Sequence, residues 1–362
     1  MASKTAINLQ RLLSPRRSCH SKVELPSSVR LCHHPSRHIV SLSKTEPFPV
    51  GSVLQGRSGK RYGIREILSE QRDPLLCVYK ASAGAENFVL KNMIPGEFEY
   101  QQDLQSSLAP CPSLRTPIDT IPAFELLVYP FLAGHLLQIS QKALSKATRK
   151  SILKNALNGL VVLHEKGIIH TDIKPNNILI DYEDSTRDDI KIYSVQISDL
   201  EDAVVLPPGK NLKGCLCGNQ LWRSPESWAR ARQNTPSDVF SFGVLTIYVM
   251  LNDMVFRVSD DELSSKDAWR HILRRHISYF GDETGFKGLL QHIGEDNPFF
   301  QRLIDLAADF DADRPRKPFA MWHYVDAELR DLISKMTNLD PARRITAREA
   351  LEHSWFQQAD LQ

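Results

Sequence analysis

The stretch IIHTDIKPNNILID, from Ile168 to Asp181, gathers a His, a Lys and two Asn around Asp172, next to short apolar runs. Those runs are short enough to be strands, which predicts a polar loop between them. Pro175 and the two Asn are also ordinary turn residues, so the stretch alone is compatible with a loop that carries no chemistry. The motifs elsewhere in the chain decide between a turn and a reactive site.

The composition indicates a folded chain with a nearly neutral surface. Its 362 residues are 42% hydrophobic and 24% charged, which suits one large two-lobed domain or two ordinary ones. The 45 Lys and Arg against 43 Asp and Glu leave a net charge of +2, too neutral to favour a nucleic-acid or membrane surface. The longest apolar run, Val239 to Leu251, is too short to span a bilayer and predicts a buried helix. We therefore expect no nucleic-acid or membrane partner, and the oligomeric state is left open.

The cysteines form no regular framework and no CxxC pair, which indicates reduced thiols and an intracellular protein. Two of them are close enough in sequence to leave a metal or redox pair open. The six are Cys19, Cys32, Cys77, Cys111, Cys215 and Cys217.

The N-terminal segment, residues 1–48, has a different composition from the rest. Its first 45 residues hold eight Lys or Arg, nine Ser and four His but one acid, Glu24, and such a segment cannot pack a core. This composition is typical of a disordered basic arm or of a mitochondrial transit peptide, with a short amphipathic helix over Ala6 to Leu13. We expect a cytoplasmic or nuclear location, with the mitochondrion as the alternative.

The remaining sequence divides into two parts with different secondary structure. Residues 49–132 contain three β-prone runs, PLLCVYKAS, ENFVLKNM and AFELLVYPFL, and one helical run, EFEYQQDLQSSL. Residues 133–357 are mostly helical, beginning with SKATRKSILKNALNGLVVLHEKG, whose apolar residues share one face and whose Gly167 can end the helix. The pattern predicts an α+β fold with a small β-rich lobe and a larger helical lobe.

The opening stretch and its neighbours resemble the eukaryotic protein kinase family from about Val53 to Phe356. The family's catalytic loop is written HRDLxxxN, and the resemblance makes Asp172 the catalytic base and Asn177 a metal ligand. Lys174, followed by Pro175, resembles the serine/threonine type. Phosphoryl transfer requires a carboxylate to orient the hydroxyl, oxygen ligands for a metal and a cation near the phosphates.

Further motifs follow in the family's order. VQISDLED stands where the family has DFG, so the resemblance makes Asp199 the second Mg²⁺ ligand, although Glu201 replaces the glycine. WRSPES, SDVFSFG and DPARRIT resemble three structural motifs. They imply that Asp238 holds the backbone of the catalytic loop and that Glu226 pairs with Arg344.

The resemblance also implies the residues around ATP. NFVLKNM resembles the VAIK strand, which makes Lys91 the residue for the α- and β-phosphates. Its helix partner is expected to be Glu99, with Glu97 and Asp103 as rivals. Tyr129 falls at the gatekeeper position. The residues expected around the adenine are Val78, Val89, Leu179 and the hinge from Pro130 to Leu132.

Two departures from the family's pattern stand out. The Gly-rich loop GxGxxGxV is missing, and aligning its valine with Val78 puts Gln71, Asp73 and Leu76 on the three glycines. Side chains there weaken the contact between backbone and phosphates. In addition, Thr171 replaces the Arg that in the family meets a phosphorylated residue, and residues 200–221 contain no Ser, Thr or Tyr. We infer a segment that is not switched by its own phosphorylation.

Three functions are compatible with these residues. The leading hypothesis is a protein serine/threonine kinase that uses ATP and Mg²⁺ on a protein substrate. The second is a pseudokinase, a binding scaffold with weak or no catalysis, which the missing glycines and Glu201 favour. The third is a small-molecule phosphotransferase, which Lys174 and Asp238 disfavour.

Overall fold

The computed structural model describes residues 46–184 and 189–357. The basic N-terminal segment, except for its last three residues, lies outside this range, so its amphipathic helix and its targeting role stay predictions. Among the described residues no helix is both long and apolar enough to cross a membrane.

A six-stranded antiparallel sheet forms the first lobe, in the order β1-β2-β3-β4-β6-β5. A three-stranded sheet, β10-β9-β7, and a two-stranded one, β11-β8, belong to the second lobe. The strands are β1 Val53–Gln55, β2 Arg61–Gln71, β3 Leu76–Ala83, β4 Glu86–Asn92, β5 Asp119–Ile121, β6 Leu126–Pro130, β7 Gly134–His135, β8 Ile168–Ile169, β9 Ile178–Asp184, β10 Ile190–Ile197 and β11 Val204–Val205.

The helices confirm the predicted split between a β-rich and a helical lobe, since only α1 precedes the second lobe. The helices of the described residues are α1 Phe98–Ser106, α2 Leu136–Ile139, α3 Lys146–Glu165, α4 Pro225–Trp228, α5 Thr235–Leu251, α6 Asp260–Ser264, α7 Ala268–Phe280, α8 Glu283–Ile293, α9 Phe299–Ala308, α10 Ala327–Met336, α11 Ala347–Glu352 and α12 Ser354–Gln357.

The strands of the first lobe bury one face in its core. Strand β4 lies in the middle of the sheet, between β3 and β6, and Lys91 pairs in register with Val78 on one side and Leu127 on the other. Beneath the sheet, Val89 belongs to a small buried cluster that includes Phe98 of α1. The side chain of Lys91 is therefore fixed at the end of a central strand, beside α1.

The second lobe is built around α5, which is buried on nearly all sides as predicted from its apolar run. Asn234 caps its N-terminus, and Asn252 ends it in the left-handed conformation. Helix α3 packs against α5 and against β10, and Gly167 follows it with a positive φ of 69°. This packing positions the strands β8 and β9. Residues 170–177, which include Asp172, form the loop between them.

A buried histidine in the second lobe has no polar partner. His276 of α7 is fully buried, its ring stacks 4.0 Å from the ring of Phe256 and 5.2 Å from that of Phe240, and neither ring nitrogen bonds to any described residue. Burial lowers the pKa of His276 to about 3; the nearby Glu226 raises it slightly, and Arg344 lowers it further. The imidazole is neutral in the folded protein and costs free energy because its nitrogens leave water without a bond.

We predict that His276→Leu stabilises the protein and removes part of its acid sensitivity. Between the lowered folded pKa of about 3 and the unfolded value near 6.5, the unfolded chain binds the proton that the folded chain rejects. This residue therefore destabilises the wild type as the pH falls below about 6.5, by roughly 2 kcal/mol at pH 5. Urea unfolding of both proteins at pH 7 and pH 5 measures the difference.

The control is His271→Leu, which changes a partly exposed histidine of the same helix that contacts Glu262. We expect this change to leave the stability at pH 7 within about 0.5 kcal/mol of the wild type. Equal pH dependence of the wild type and His276→Leu would contradict the assignment of a neutral buried imidazole.

Candidate active site

The loop between β8 and β9 holds Asp172 between a cation and a backbone donor. The ammonium of Lys174 lies 2.5 Å from Oδ2 of Asp172, and the backbone N–H of Asn219 donates to Oδ1 at 3.0 Å. Thr171 has a positive φ of 71°, so the backbone turns sharply just before the carboxylate. Asp172 is thus oriented on both oxygens, and its side chain remains about 14% exposed.

Asp238 of α5 supports this sharp turn from below, as the sequence predicted. Its carboxylate accepts hydrogen bonds from the backbone N–H groups of His170 and Thr171, at 2.8 and 3.0 Å. The ring of His164 contacts the same carboxylate at 3.0 Å. Because these bonds are buried and charge-assisted, they stabilise a backbone conformation that residues with a Cβ rarely adopt.

Hydrogen bonds join the catalytic loop to the segment that carries Asp199. Nδ2 of Asn177 donates to the carbonyl of Asp172 at 2.9 Å, and the carbonyl of Asn177 accepts from the N–H of Ser198 at 2.8 Å. His170 contacts the carbonyl of Ser198 at 2.9 Å through Nε2. Asp199 follows directly, with a φ of +67°. The structure therefore brings the three predicted oxygen-bearing side chains to one place.

Lys91 reaches this place from the first lobe. Its ammonium lies 2.6 Å from Oδ1 of Asp199 and 2.7 Å from Oε1 of Glu201. All three side chains are at least four-fifths buried. The ammonium of Lys91 thus links the two lobes. It is shared between Glu201, in the short 3₁₀ turn Leu200–Asp202, and Asp199, the residue directly before that turn.

The expected pair between Lys91 and Glu99 is not formed. Glu99 is exposed in the first turn of α1, and the rival Asp103 is also exposed. The other rival, Glu97, is partly buried but precedes the helix as its N-cap residue. The residue that α1 turns inward is Gln101, which is 1% exposed. Two residues along a helix correspond to a rotation of about 200°, so Glu99 and Gln101 face opposite sides.

A row of neutral polar groups takes the place of that carboxylate. Nε2 of Gln101 donates to the backbone carbonyl of Glu201 at 3.0 Å, and Oε1 of Gln101 accepts from Gln105 at 3.2 Å. Gln105 in turn accepts from the hydroxyl of Tyr129 at 2.9 Å. Neither glutamine was among the residues predicted from the sequence motifs, although their spacing with Phe98 at i, i+3 and i+7 marks one helix face.

Burial perturbs the ionisable groups behind Lys91. It raises the pKa of Glu201, and the charge of Asp199 adds to this against the opposing effect of Lys91. It also raises the pKa of Tyr129, and it lowers the pKa of Arg115 to about 10. The carboxylates of Glu201 and Asp199 oppose this lowering of the pKa of Arg115, whereas Lys91 contacts both of them directly.

Arg115 lies against the predicted hinge, which the sequence did not reveal. Its guanidinium donates to the carbonyl of Pro130 at 2.9 Å and lies 5.0 Å from the ring centre of Tyr129. The carbonyl of Val128 bonds to the N–H of Ile118 on that side of β6, and Pro130, two residues on, points the same way. A hinge carbonyl expected to face adenine thus already accepts a hydrogen bond.

The apolar residues predicted around the adenine line both lobes near the hinge. Val89 is buried, Val78 is partly buried on β3, and Leu179 is partly buried on β9 opposite His135. Leu132 follows β6 and is partly buried. These positions are compatible with the predicted pocket, but none of the contacts tests their roles.

A tight hairpin between β2 and β3 occupies the position of the missing Gly-rich loop. Asp73, in its turn, has a φ of +63°. The side chain of Asn92 fastens the hairpin, since it accepts from the N–H of Cys77 at 2.5 Å and donates to the carbonyl of Leu75 at 2.8 Å. Non-glycine side chains therefore occupy the turn, as the sequence predicts.

The segment after Asp199 is held by direct contacts. The hydroxyl of Thr171 donates to the carbonyl of Asp202 at 3.0 Å, and β11 pairs with β8. Further along, Leu212 forms a bridge with Gln233. Gly218 packs so closely that a Cβ there would lie 2.9 Å from the carbonyl of Thr171. Thr171, which replaces the family's Arg, is thus hydrogen bonded directly to the segment after Asp199.

The second lobe also contains the predicted ion pair and the two neighbouring cysteines. Arg344 makes a bidentate, fully buried ion pair with Glu226, at 2.6 and 2.8 Å, which confirms the expected pair. Burial opposes ionisation of Glu226, but Arg344 outweighs it and holds the pKa of Glu226 below its usual value. Cys215 and Cys217 are buried, and the described residues contain no cluster of three His, Cys, Asp or Glu side chains suited to a metal.

The two lobes, the cleft lysine and the loop of Asp172 and Asn177 define the class of the fold, which is that of the protein kinases. The protein kinase domain family matches residues 123–356, about two thirds of the chain, and the chain belongs to that family. The matched region begins after β5. The structure therefore extends the likeness to the preceding strands, including β2 and β3, whose hairpin replaces the family's Gly-rich loop.

Curated relatives and solved structures agree with this assignment. The chain is 25% identical over 322 residues to "Aurora kinase" of Eremothecium gossypii, which covers 87% of this chain and 70% of that protein. It is 26% identical over 318 residues to "Mitogen-activated protein kinase 13" of Homo sapiens, covering 85% and 74%. A chain of the yeast RNA Pol II CTD kinase CTDK-1 complex has the same fold, with a TM-score of 0.65, 16% identity, and coverage of 88% of this chain and 96% of that one.

Proposed function

We propose that this protein transfers the γ-phosphoryl group of ATP to serine or threonine hydroxyls of a protein substrate. One observation carries the proposal: Asp172 and Lys174 lie 2.5 Å apart beside Asn177, within a loop that hydrogen bonds to the segment of Asp199. The carboxylate, the amide and the two ammonium groups that phosphoryl transfer requires are all in this cleft.

The residues divide the work as follows. Asp172 accepts a hydrogen bond from the substrate hydroxyl and orients its oxygen toward the phosphorus. Lys174, beside it, offsets negative charge that develops on the transferred group, and Lys91 orients the α- and β-phosphates. The family resemblance and the relatives named as kinases support this division.

The donor set fits Mg²⁺. Asn177 directs its NH₂ group to Asp172, so its amide oxygen is the atom available to a metal, and Asp199 supplies a carboxylate. Both are hard oxygen donors of the kind that Mg²⁺ prefers, with phosphates and water completing the octahedron. A bound ion, held by Asn177 and Asp199, would neutralise phosphate charge, and Glu201 would remain as a partner for Lys91.

A scaffold without catalysis is the second candidate. It is favoured by the hairpin that replaces the glycines, which offers fewer backbone donors to phosphates, and by Arg115, which already bonds to the carbonyl of Pro130. A carbonyl oxygen has two lone pairs, so an adenine amino group can share it only if it fits beside the guanidinium. Nucleotide binding and phosphate incorporation separate the two candidates.

We predict that Asp172→Asn lowers phosphate incorporation by about 10²- to 10⁴-fold, because the amide cannot accept the hydroxyl proton. The assay uses radiolabelled ATP, Mg²⁺ and an arrayed library of serine- and threonine-containing proteins. Asp253→Asn makes the same chemical change at an exposed site and is expected to retain wild-type activity.

Two results would contradict this prediction. Equal incorporation by the wild type and Asp172→Asn would remove Asp172 from the reaction. No incorporation by the wild type, together with retained nucleotide binding, would favour the scaffold.

We also predict that activity does not depend on phosphorylation of the protein, because the segment between Asp199 and Trp222 contains no Ser, Thr or Tyr. Phosphatase treatment should leave the rate unchanged, whereas Thr171→Val, which removes the bond to Asp202, should lower kcat about two- to tenfold. Mass spectrometry verifies that the treated enzyme carries no phosphate. Loss of activity on phosphatase treatment would show that a phosphate organises the site after all.

A further inference from the structure

We infer that Glu201 has taken over the task of anchoring Lys91, which the family resemblance assigned to a glutamate of helix α1. The inference rests on the proposed function and names a positioning residue for it. The carboxylate that contacts Lys91 lies on the turn that carries Asp199 and not on a helix of the first lobe.

The first step is that α1 presents no carboxylate to the cleft. Its buried residues are Phe98, Gln101, Leu104 and Gln105. The inward position nearest the cleft is Gln101, whose amide donates to the backbone carbonyl of Glu201. A glutamine cannot pair with an ammonium as a carboxylate does, because it carries no charge.

The second step is that the side chain of Glu201 already fills that place. Its Oε1 lies 2.7 Å from Nζ of Lys91, while its Oε2 has no hydrogen-bond partner among the described residues. A carboxylate buried to this degree is retained only beside a cation. The residue that replaces the DFG glycine is therefore an ion-pair partner, and its presence does not by itself indicate a dead enzyme.

The third step is the charge balance of the cleft. Lys91 lies 2.6 Å from Asp199 and 2.7 Å from Glu201, so its one ammonium already meets two carboxylates. A glutamate at position 101 in addition to Glu201 would give three carboxylates and like-charge repulsion. Gln101 of α1 and Glu201 of the turn thus compensate each other, because the carboxylate that is absent at position 101 is present at position 201.

One consequence concerns regulation. Asp199 and Glu201 lie on one turn, so the partner of Lys91 stays near the metal-binding carboxylate whatever α1 does. Helix α1 is joined to the turn by the neutral bond from Gln101 and by the chain through Gln105 to Tyr129. We therefore expect displacement of α1 to loosen the site without breaking the ion pair.

A charge-exchange experiment on the full chain tests the inference. Glu201→Gln keeps the shape and removes the charge, and Glu201→Gly installs the family residue. Each should lower kcat/KM by about ten- to hundredfold and weaken ATP binding. The double variant Gln101→Glu with Glu201→Gly restores the family's arrangement and should recover activity to within about threefold of the wild type.

Two controls accompany these variants. Gln101→Glu alone should lower activity through repulsion, and Glu99→Gln, on the exposed side of α1, should leave it within about twofold. Thermal unfolding identifies any variant that fails to fold. A purely structural role for Glu201 predicts lowered unfolding temperatures for both of its single variants and no rescue by Gln101→Glu, because a stability defect is not cured by a charge placed on α1.

The outcomes are distinguishable from failure of the proposed function. If the wild type phosphorylates nothing, the same variants are read by calorimetric titration with ATP, and loss with rescue still supports the inference. Wild-type affinity and activity in both Glu201 variants would overturn it while leaving the kinase intact. A double variant no better than Glu201→Gly, or a loss in Glu99→Gln, would also overturn it.

Discussion

The site depends on the ammonium of Lys91, which two carboxylates of the second lobe share at 2.6 and 2.7 Å. Lys91 extends from a central strand of the first lobe, and Asp199 and Glu201 belong to the turn after β10. Because all three are largely buried, removing one charge leaves another without compensation, which is far more costly than losing an exposed pair. This constraint fixes how the lobes face each other across the cleft.

A second layer of buried bonds makes that arrangement possible. Asp238 accepts from the backbone of His170 and Thr171, and Ser198 joins the loop of Asp172 to the turn of Asp199. Both Thr171 and Asp199 have positive φ angles, a conformation that costs a non-glycine residue free energy. The bonds around them offset this cost, so the strained backbone serves to bring the reactive side chains together.

Much of this could be predicted from the sequence, because the catalytic loop and the buried helix are local patterns. Asp172 and Asp199 follow strand-like runs, Asn177 precedes one, and the pairs made by Asp238 and Arg344 could be inferred from the family resemblance. The partner of Lys91 could not, because the choice between Glu99 and Gln101 depends on where α1 begins. A shift of two residues turns a charge from the cleft to the solvent.

The other contacts that the sequence did not predict join residues far apart in the chain. Arg115 is a lone charge in a loop, and nothing near it in sequence predicts that it reaches Pro130. Glu201 reads as a lost glycine until the structure shows the ammonium beside it. In both cases the long-range geometry of the lobes, rather than a local pattern, decides what the side chain contacts.

The central claim is that Asn177 and Asp199 meet around a magnesium–nucleotide complex beside Lys91. Isothermal titration of the full chain with ATP, with and without Mg²⁺, tests it most directly. The account predicts ATP binding that Mg²⁺ strengthens in the wild type, and no strengthening in Asp199→Asn. Binding of ATP with the same affinity in the presence and absence of Mg²⁺, or no binding at all, would contradict it.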